Sequence, residues 1–194
     1  FVLRVEFAPD GRLVAVIYAN TALTVWDPKS RASRFTRPGV TWTGFNRQGT
    51  LLATAGNDLR LRVLDPATGE EKAVFDLDAP TSFGVFDPTG NQLALVVGRS
   101  LEIWEWRVGR RRQAWRLDHP AWSLDWRGNF IALGDEAEFF PVQVVALGDL
   151  VADFKGLAVE GTHAGLEGDG RVEEFLGMGQ GNEQRKEEKE DAHG

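Results

Sequence analysis

The sequence predicts an all-β fold built from repeated, small antiparallel sheets. A Gly is followed four residues later by an Ala inside a short apolar run, and this pair recurs at Gly11, Gly49, Gly90 and Gly128, which are 38, 41 and 38 positions apart. In the first three units a Leu-x-Val/Ile segment follows each run, and helical periodicity is absent. A repeat of this length predicts units that each bury their faces against the next.

Each unit opens with a strand that ends in a tight turn. The turn sequences Pro-Asp-Gly at 9–11, Arg-Gln-Gly at 47–49 and Pro-Thr-Gly at 88–90 place Gly where a positive φ is needed. The apolar runs after the turns are partly β-branched and lack polar alternation, which predicts strands covered on both faces.

The second half of each unit predicts two more strands. At 23–27, 61–65 and 101–105, Leu and Val or Ile lie two residues apart on one strand face, and Trp or Leu points to the other. A further turn, at 27–30 or 65–69, leads into an outer strand such as 72–75. Three or four strands per unit would stack as blades around an axis.

These units resemble WD40 repeats over about residues 1–135. The segment Phe-Ala-Pro-Asp-Gly at 7–11 is similar to the family's Phe-Ser-Pro-Asp-Gly turn. The Trp-Asp pair that ends a WD40 repeat is present as Trp26-Asp27. Altered forms of it stand at the equivalent positions Leu64-Asp65 and Trp104-Glu105. The resemblance implies a β-propeller that acts as a rigid platform for protein partners, with no cofactor.

The sequence also departs from the WD40 pattern. The Gly-His pair that precedes the first strand of a family blade is missing, and only His119 lies near such a position. The family's hydrogen-bonded tetrad of His, Ser or Thr, Asp and Trp is present in pieces, such as Thr54 and Asp58. These departures affect the expected hydrogen-bond network more than the expected fold.

The predicted fold class is all-β, an incomplete WD40-like propeller arc of about four blades. The predicted segments are blades at 1–39, 40–79 and 80–118, a degenerate blade at 119–150, an irregular blade or closing segment at 151–176, and a flexible, charged tail at 177–194. A seven-bladed propeller needs about 270 residues. The favoured interpretation is a piece of a longer propeller, because the chain begins at Phe1 inside a predicted strand. A second chain or the C-terminal half are the alternative closing elements.

The main candidate binding segment is basic and lies at residues 107–116. A guanidinium group pairs in bidentate fashion with anions, so this segment is a candidate site for an acidic peptide or a phosphate. The alternative is that charge here keeps an exposed hairpin in solution and protects its edge. The candidate partner-binding residues are Arg107, Arg110, Arg111, Arg112, Trp115 and Arg116.

Five of the seven Trp residues are concentrated between positions 104 and 126. Packing between blades is expected for Trp104 and Trp126, as it is for Trp26 in the first unit. Trp115 and Trp122 are left open between core packing and an exposed interaction surface.

Catalytic motifs are not evident. His119, His163 and His193 do not have metal-ligand spacing, no nucleophile elbow or phosphate-binding loop is present, and the acidic residues near 167–174 fail the calcium-loop register. The alternative hypothesis is an enzyme or accessory domain with a carboxylate or metal site at the channel, for which the positions to watch are Asp58, Asp125 and Asp135. No catalytic, cofactor or metal residue is predicted.

Composition limits the kinds of partner. The net charge of −7 argues against nucleic acid, and the absence of Cys excludes disulfides and thiolate sites. No apolar run approaches the roughly 18 to 20 residues that span a bilayer. We expect a soluble protein, in the cytoplasm or alternatively in the periplasm or outside the cell. Its expected partners are proteins or the rest of a longer propeller, with association through open blade edges. A structural subunit completed by another chain is the third functional hypothesis.

Overall fold

The structure consists of short antiparallel strands joined by turns. The computed structural model describes residues 1–135 and the strand at 142–146. In chain order the strands are β1 Val2–Phe7, β2 Val14–Tyr18, β3 Leu23–Asp27, β4 Ala32–Arg37, β5 Val40–Phe45, β6 Leu52–Gly56, β7 Arg60–Leu64, β8 Glu71–Asp76, β9 Thr81–Phe86, β10 Leu93–Val97, β11 Ser100–Glu105, β12 Arg110–Arg116, β13 Ala121–Arg127, β14 Phe130–Asp135 and β15 Val142–Ala146.

The strands form four sheets in which each strand pairs with its neighbours in sequence. Sheets 1, 2 and 3 contain β1–β4, β5–β8 and β9–β12, and sheet 4 contains β13–β15. This arrangement confirms the predicted all-β fold and the predicted repetition of small sheets. The described part of the chain contains no helix long and apolar enough to cross a membrane.

Glycine makes the turn between the first two strands of every sheet. Gly11, Gly49, Gly90 and Gly128 have φ values of 71°, 70°, 76° and 54°. These values lie in the left-handed region, which a side chain disfavours. The prediction of tight turns from the repeated Gly is therefore confirmed.

Each sheet has two faces that pack against different neighbours. We call the front face of a sheet the one that bears the repeated Ala, and the back face the opposite one. In sheet 1, Ala15 lies opposite Glu6 and Val25 on the front face, whereas Val14 lies opposite Phe7 and Trp26 on the back face. Residues opposite each other on antiparallel strands share a face, so the same division applies in every sheet.

Three apolar clusters join the front face of one sheet to the back face of the next. Between sheets 1 and 2, Ala15, Ile17 and Val25 pack with Phe45 and Leu52. The cluster between sheets 2 and 3 contains Trp42, Leu61, Phe86, Leu93 and Trp104 among others. The cluster between sheets 3 and 4 contains Ala94, Leu101, Ile103, Trp126 and Ile131 among others. Burial of these apolar surfaces is what holds the stack of sheets together.

Trp104 and Trp126 are buried between sheets, as predicted, and Trp26 is half-buried. Trp115 packs against the cluster between sheets 3 and 4, and Trp122 is exposed. The segments predicted at 151–176 and 177–194, with His163, His193 and the acidic run near 167–174, lie outside the described residues.

A carboxylate also links the first two sheets. Glu6, on the front face of β1, accepts a hydrogen bond of 3.1 Å from the backbone N–H of Phe45 on β5, and Arg4 lies 3.4 Å from its other oxygen. Burial raises the pKa of Glu6 above its ordinary value of 4.5, against the opposing effects of the Phe45 N–H and Arg4. Glu6 therefore connects neighbouring sheets, although burial of its charged form costs desolvation free energy.

The raised pKa makes stability depend on pH in a known direction. The folded state binds the Glu6 proton more tightly than the unfolded state, whose Glu6 has a pKa near the ordinary value of 4.5. The contribution of Glu6 to the free energy of unfolding is therefore largest below pH 4.5 and falls as the pH rises through the folded-state pKa. In Glu6→Gln the side chain keeps an acceptor for the Phe45 N–H but does not titrate. We expect the unfolding free energy of Glu6→Gln relative to the parent to increase between pH 4 and pH 7. Urea titrations at both values, with the exposed Glu70→Gln as the charge control, measure it. An equal difference at both pH values would contradict the prediction.

Candidate functional site

The basic segment forms the outermost strand of sheet 3 and the turn before it. β12 pairs with β11 on one side and stands last in the strand order of its sheet. Arg107 lies in the turn, while Arg110, Arg111 and Arg112 begin the strand and Arg116 ends it. The six predicted binding residues thus lie along one edge of sheet 3 and in the turn that leads into it.

Two of these arginines share one counter-charge. The Arg110 Nη2 and the Arg112 Nε each lie 2.6 Å from a different carboxylate oxygen of Glu105, on the adjacent strand β11. The hydrogen bonds from Arg110, and then from Arg112, lower the pKa of Glu105. Glu105 therefore stays ionised and neutralises part of the positive charge on this edge.

Arg111 is held by a more buried network. Its Nη1 lies 2.8 Å from Glu102 Oε1 and 3.0 Å from Asp78 Oδ2. The Trp104 Nε1–H donates a 2.8 Å hydrogen bond to the other oxygen of Glu102, whose side chain is only 5% exposed. These contacts raise the pKa of Arg111, and the hydrogen bond to Glu102 has the largest effect. Arg111 serves mainly to neutralise a buried carboxylate on β11.

Arg107 and Arg116, at the two ends of the segment, differ from the arginines between them in having no carboxylate partner among the described residues. Arg107 and Arg116 are exposed and form no ion pair with a carboxylate in the described part of the chain. The Arg107 guanidinium lies over the Trp106 ring, 4.5 Å from its centroid. Trp106 is buried and donates its own N–H to the Gly90 carbonyl, so it provides a fixed platform for Arg107.

Sequence reasoning identified the arginines but not their counter-charges. Glu102 and Glu105 face β12 across the sheet, where Trp104 pairs with Arg111 and Glu105 with Arg110. Asp78 comes from the connection that follows sheet 2, 33 residues before Arg111. The two acidic residues of β11, three positions apart, are a signal in the sequence, whereas the approach of Asp78 depends on how two sheets stack.

Of the carboxylates considered for catalysis, Asp58 and Asp125 belong to different sheets and each pairs with an arginine of its own sheet. Asp58 binds Arg62, whose hydrogen bond is the main cause of a lowered Asp58 pKa. Asp125 lies on the first strand of sheet 4, 3.5 Å from Arg127, and Asp135 ends β14. Among residues 1–135 and 142–146, no group of three or more His, Asp or Glu side chains is placed to hold a metal ion.

Stacked antiparallel sheets of this kind, repeated in register, give the described part of the chain the fold of WD40-type propeller blades. The solved structures that share this fold include that of U3-55K and that of the RRP9 WD40 repeats. Each matches with a TM-score of 0.63 and 15% sequence identity, over 74% of this chain and 50% of the other. The chain therefore spans about half the length of these structures. No family model and no curated protein matches the sequence.

Proposed function

We propose that the chain is a non-catalytic scaffold for protein–protein interaction, and that β12 is a docking edge for an acidic, extended segment of a partner protein. The observation that carries this proposal is a pair of exposed arginines, Arg107 in the turn before an outermost strand and Arg116 at the end of that strand, neither of which pairs with a carboxylate of the described residues. The fold supports the broader part of the proposal, because a matched structure is described as WD40 repeats and the resemblance to that family implies a platform for protein partners.

An outermost strand can take up an extended peptide as an additional strand. The backbone groups on the open side of such a strand supply hydrogen bonds, and side chains at the edge supply specificity. A strand the length of β12 extends roughly 20 Å. Arg107 and Arg116 are thus spaced to contact acidic residues near the two ends of a segment of similar length.

The outer strands of the other sheets differ in charge. β8 begins with Glu71 and ends with Asp76, and its sequence carries one Lys. On β4, Arg34 pairs with Asp27 at 2.5 Å and Arg37 with Glu71 at 2.7 Å. β12 therefore combines an outer position with two cations, one in the turn before it and one at its end, that form no ion pair among the residues that the structure describes.

The contacts determine which variants test the proposal. Replacing Arg110, Arg111 and Arg112 together with Ala would remove the cation that faces the buried Glu102, and would destabilise sheet 3 whether or not the edge binds anything. The double variant Arg107→Ala/Arg116→Ala removes the same kind of charge without breaking an ion pair between described residues. Arg31→Ala/Arg47→Ala is the matched control, because both arginines are exposed, lie in turns of sheets 1 and 2 and likewise form no ion pair within the described part of the chain.

We expect Arg107→Ala/Arg116→Ala to weaken binding of a fluorescein-labelled peptide of alternating Glu and Val roughly threefold to tenfold, because it removes two exposed charge contacts. Fluorescence anisotropy at low and at physiological salt measures the dissociation constant. The control variant is expected to bind like the parent. Equal weakening by both double variants, or by neither, would contradict docking at β12.

A further inference from the structure

Two arginines from neighbouring sheets converge on one carboxylate. Arg37 ends β4 on the front face of sheet 1, and Arg62 lies in the middle of β7 on the back face of sheet 2. The Arg37 Nη1 donates a 2.7 Å hydrogen bond to Glu71 Oε1, and the Arg62 Nε lies 3.2 Å from the same oxygen. Glu71 is the first residue of β8, so the three side chains meet where the outer strands of sheets 1 and 2 face each other.

Burial distinguishes the two arginines from their acidic partners. The side chains of Arg37 and Arg62 are 26% and 15% exposed, whereas those of Glu71 and Asp58 are 39% and 47% exposed. Asp58 is held firmly, because both of its oxygens accept hydrogen bonds from the Nη atoms of Arg62. Glu71 contacts the two arginines through a single oxygen. The positive charges therefore lie deeper than the negative ones, and Glu71 is the partner that is more easily displaced.

Each arginine also has a donor for which the described residues provide no acceptor. The Nε atoms of Arg37 and Arg62 are both buried, and neither forms a hydrogen bond with a described residue. The Arg62 Nε is close to Glu71 but is not aligned with its oxygen. Leaving a buried donor without an acceptor costs free energy, and a bound water or ion is one established reason for such a group in a native structure. Two such donors on two guanidinium groups favour an anion over a water.

The repeat does not require arginine at either position. Phe75 and Trp115 take the place of Arg37 in sheets 2 and 3, since all three lie opposite the equivalent leucine of the preceding strand. Glu102 takes the place of Arg62 in sheet 3. Sheets therefore stack with aromatic or acidic side chains at these positions, and the paired arginines between sheets 1 and 2 need an explanation other than packing.

We propose that Arg37 and Arg62 form a binding site for a free tetrahedral oxyanion, such as phosphate or sulfate, and that the Glu71 carboxylate occupies the place of this ligand. One edge of a guanidinium group presents an Nε–H and an Nη–H that match two oxygens of an oxyanion. An anion that replaces Glu71 keeps the hydrogen bond from the Arg37 Nη1 and also accepts hydrogen bonds from both buried Nε groups. The site belongs to sheets 1 and 2 and is independent of docking at β12.

Isothermal titration calorimetry with inorganic phosphate tests this proposal, with sulfate and chloride compared at equal ionic strength. We expect Glu71→Ala to bind phosphate at least about tenfold more tightly than the parent, because the internal competitor for the two arginines is removed. Glu70→Ala is the matched control. Glu70 is an exposed acidic residue next to Glu71 that forms no ion pair among the described residues, so its replacement changes the net charge equally and is expected to leave phosphate binding as in the parent.

Removal of an arginine tests the other half of the site. Arg37→Gln in the Glu71→Ala background is expected to weaken phosphate binding at least about tenfold, and it removes both members of an ion pair, so neither charge is left buried alone. Arg60→Gln in the same background is the control, because Arg60 lies on the same strand as Arg62 and pairs with the exposed Asp76. Circular dichroism establishes that each variant is folded.

Three results would overturn the proposal. The first is that Glu71→Ala binds phosphate no more tightly than the parent or does not bind it at millimolar concentration, which would assign the buried Nε groups to ordered water. The second is that binding is equally strong with and without Arg37. The third is that chloride gives the same response as phosphate and sulfate, which would indicate a general effect of ions.

Discussion

Replacing Trp42 with Ala is expected to lower the free energy of unfolding by about 3 to 5 kcal/mol, the range for removing a large aromatic side chain from a core. Trp42 is 2% exposed and lies in the cluster that joins sheets 2 and 3. Its ring approaches two glycines, since a Cβ added at Gly44 or at Gly84 would lie 2.8 Å from ring atoms of Trp42. Glycine has no side chain that could move into the vacated space, so the cavity should collapse little and the loss should be near the upper end of that range.

Urea unfolding followed by circular dichroism measures this loss. Trp122→Ala is the matched control, because Trp122 is the same residue type on the first strand of sheet 4 and is 58% exposed. Its replacement is expected to change the unfolding free energy by less than about 0.5 kcal/mol. Similar losses for the two variants would show that the interface between sheets 2 and 3 is not organised around Trp42.

Gly56→Ala is expected to have a comparable effect for a different reason. A Cβ at Gly56 would lie 2.1 Å from the backbone carbonyl oxygen of Gly39, in the connection between sheets 1 and 2. That carbonyl accepts a hydrogen bond from the Asn57 N–H, and Gly39 itself has a φ of 75°. Relief of the clash therefore requires movement of backbone, and we expect a loss of about 3 kcal/mol or more in unfolding free energy.

Gly11→Ala separates this steric clash from a general cost of adding a side chain at glycine. No atom lies within 4 Å of a Cβ at Gly11, so only its φ of 71° opposes the substitution. The expected cost is about 1 to 2 kcal/mol, the penalty of a left-handed conformation. Thermal unfolding of both variants gives the comparison, and a Gly56→Ala protein as stable as Gly11→Ala would mean that the connection at Gly39 shifts freely.

Local chemistry made the repeated elements predictable. A Gly that needs a positive φ, followed by an unbroken apolar run, has few alternatives to a turn and a doubly covered strand. Gly11, Gly49 and Gly90 accordingly form equivalent turns with the same backbone hydrogen bond, whereas Gly128 lies in the shorter, two-residue connection between β13 and β14. The outer position of the basic strand followed in the same way, since it comes last in its repeat.

Contacts between sheets were not predictable, because they depend on how two units stack. The bond from the Phe45 N–H to Glu6 joins residues 39 positions apart, and the approach of Asp78 to Arg111 spans 33. The close approach of Gly39 and Gly56 depends on the path of a connection rather than on any repeat. The repeat pattern alone also predicts the same burial for Phe7 and Phe45, although Phe7 is exposed and Phe45 is buried. The binding role of the segment at 107–116 stays a prediction, and so does the cellular location.

The sequential pairing of strands has a consequence for how the chain acquires its structure. Every ladder joins strands that are adjacent in sequence, so each sheet can form by closing short loops as soon as its own residues are available. During synthesis sheet 1 is complete before sheet 2 begins, yet its front face is not covered until Phe45 and Leu52 arrive. We therefore expect assembly to proceed in steps from sheet 1 towards sheet 4. The newly formed apolar surface of each sheet is most vulnerable to aggregation before the next sheet covers it.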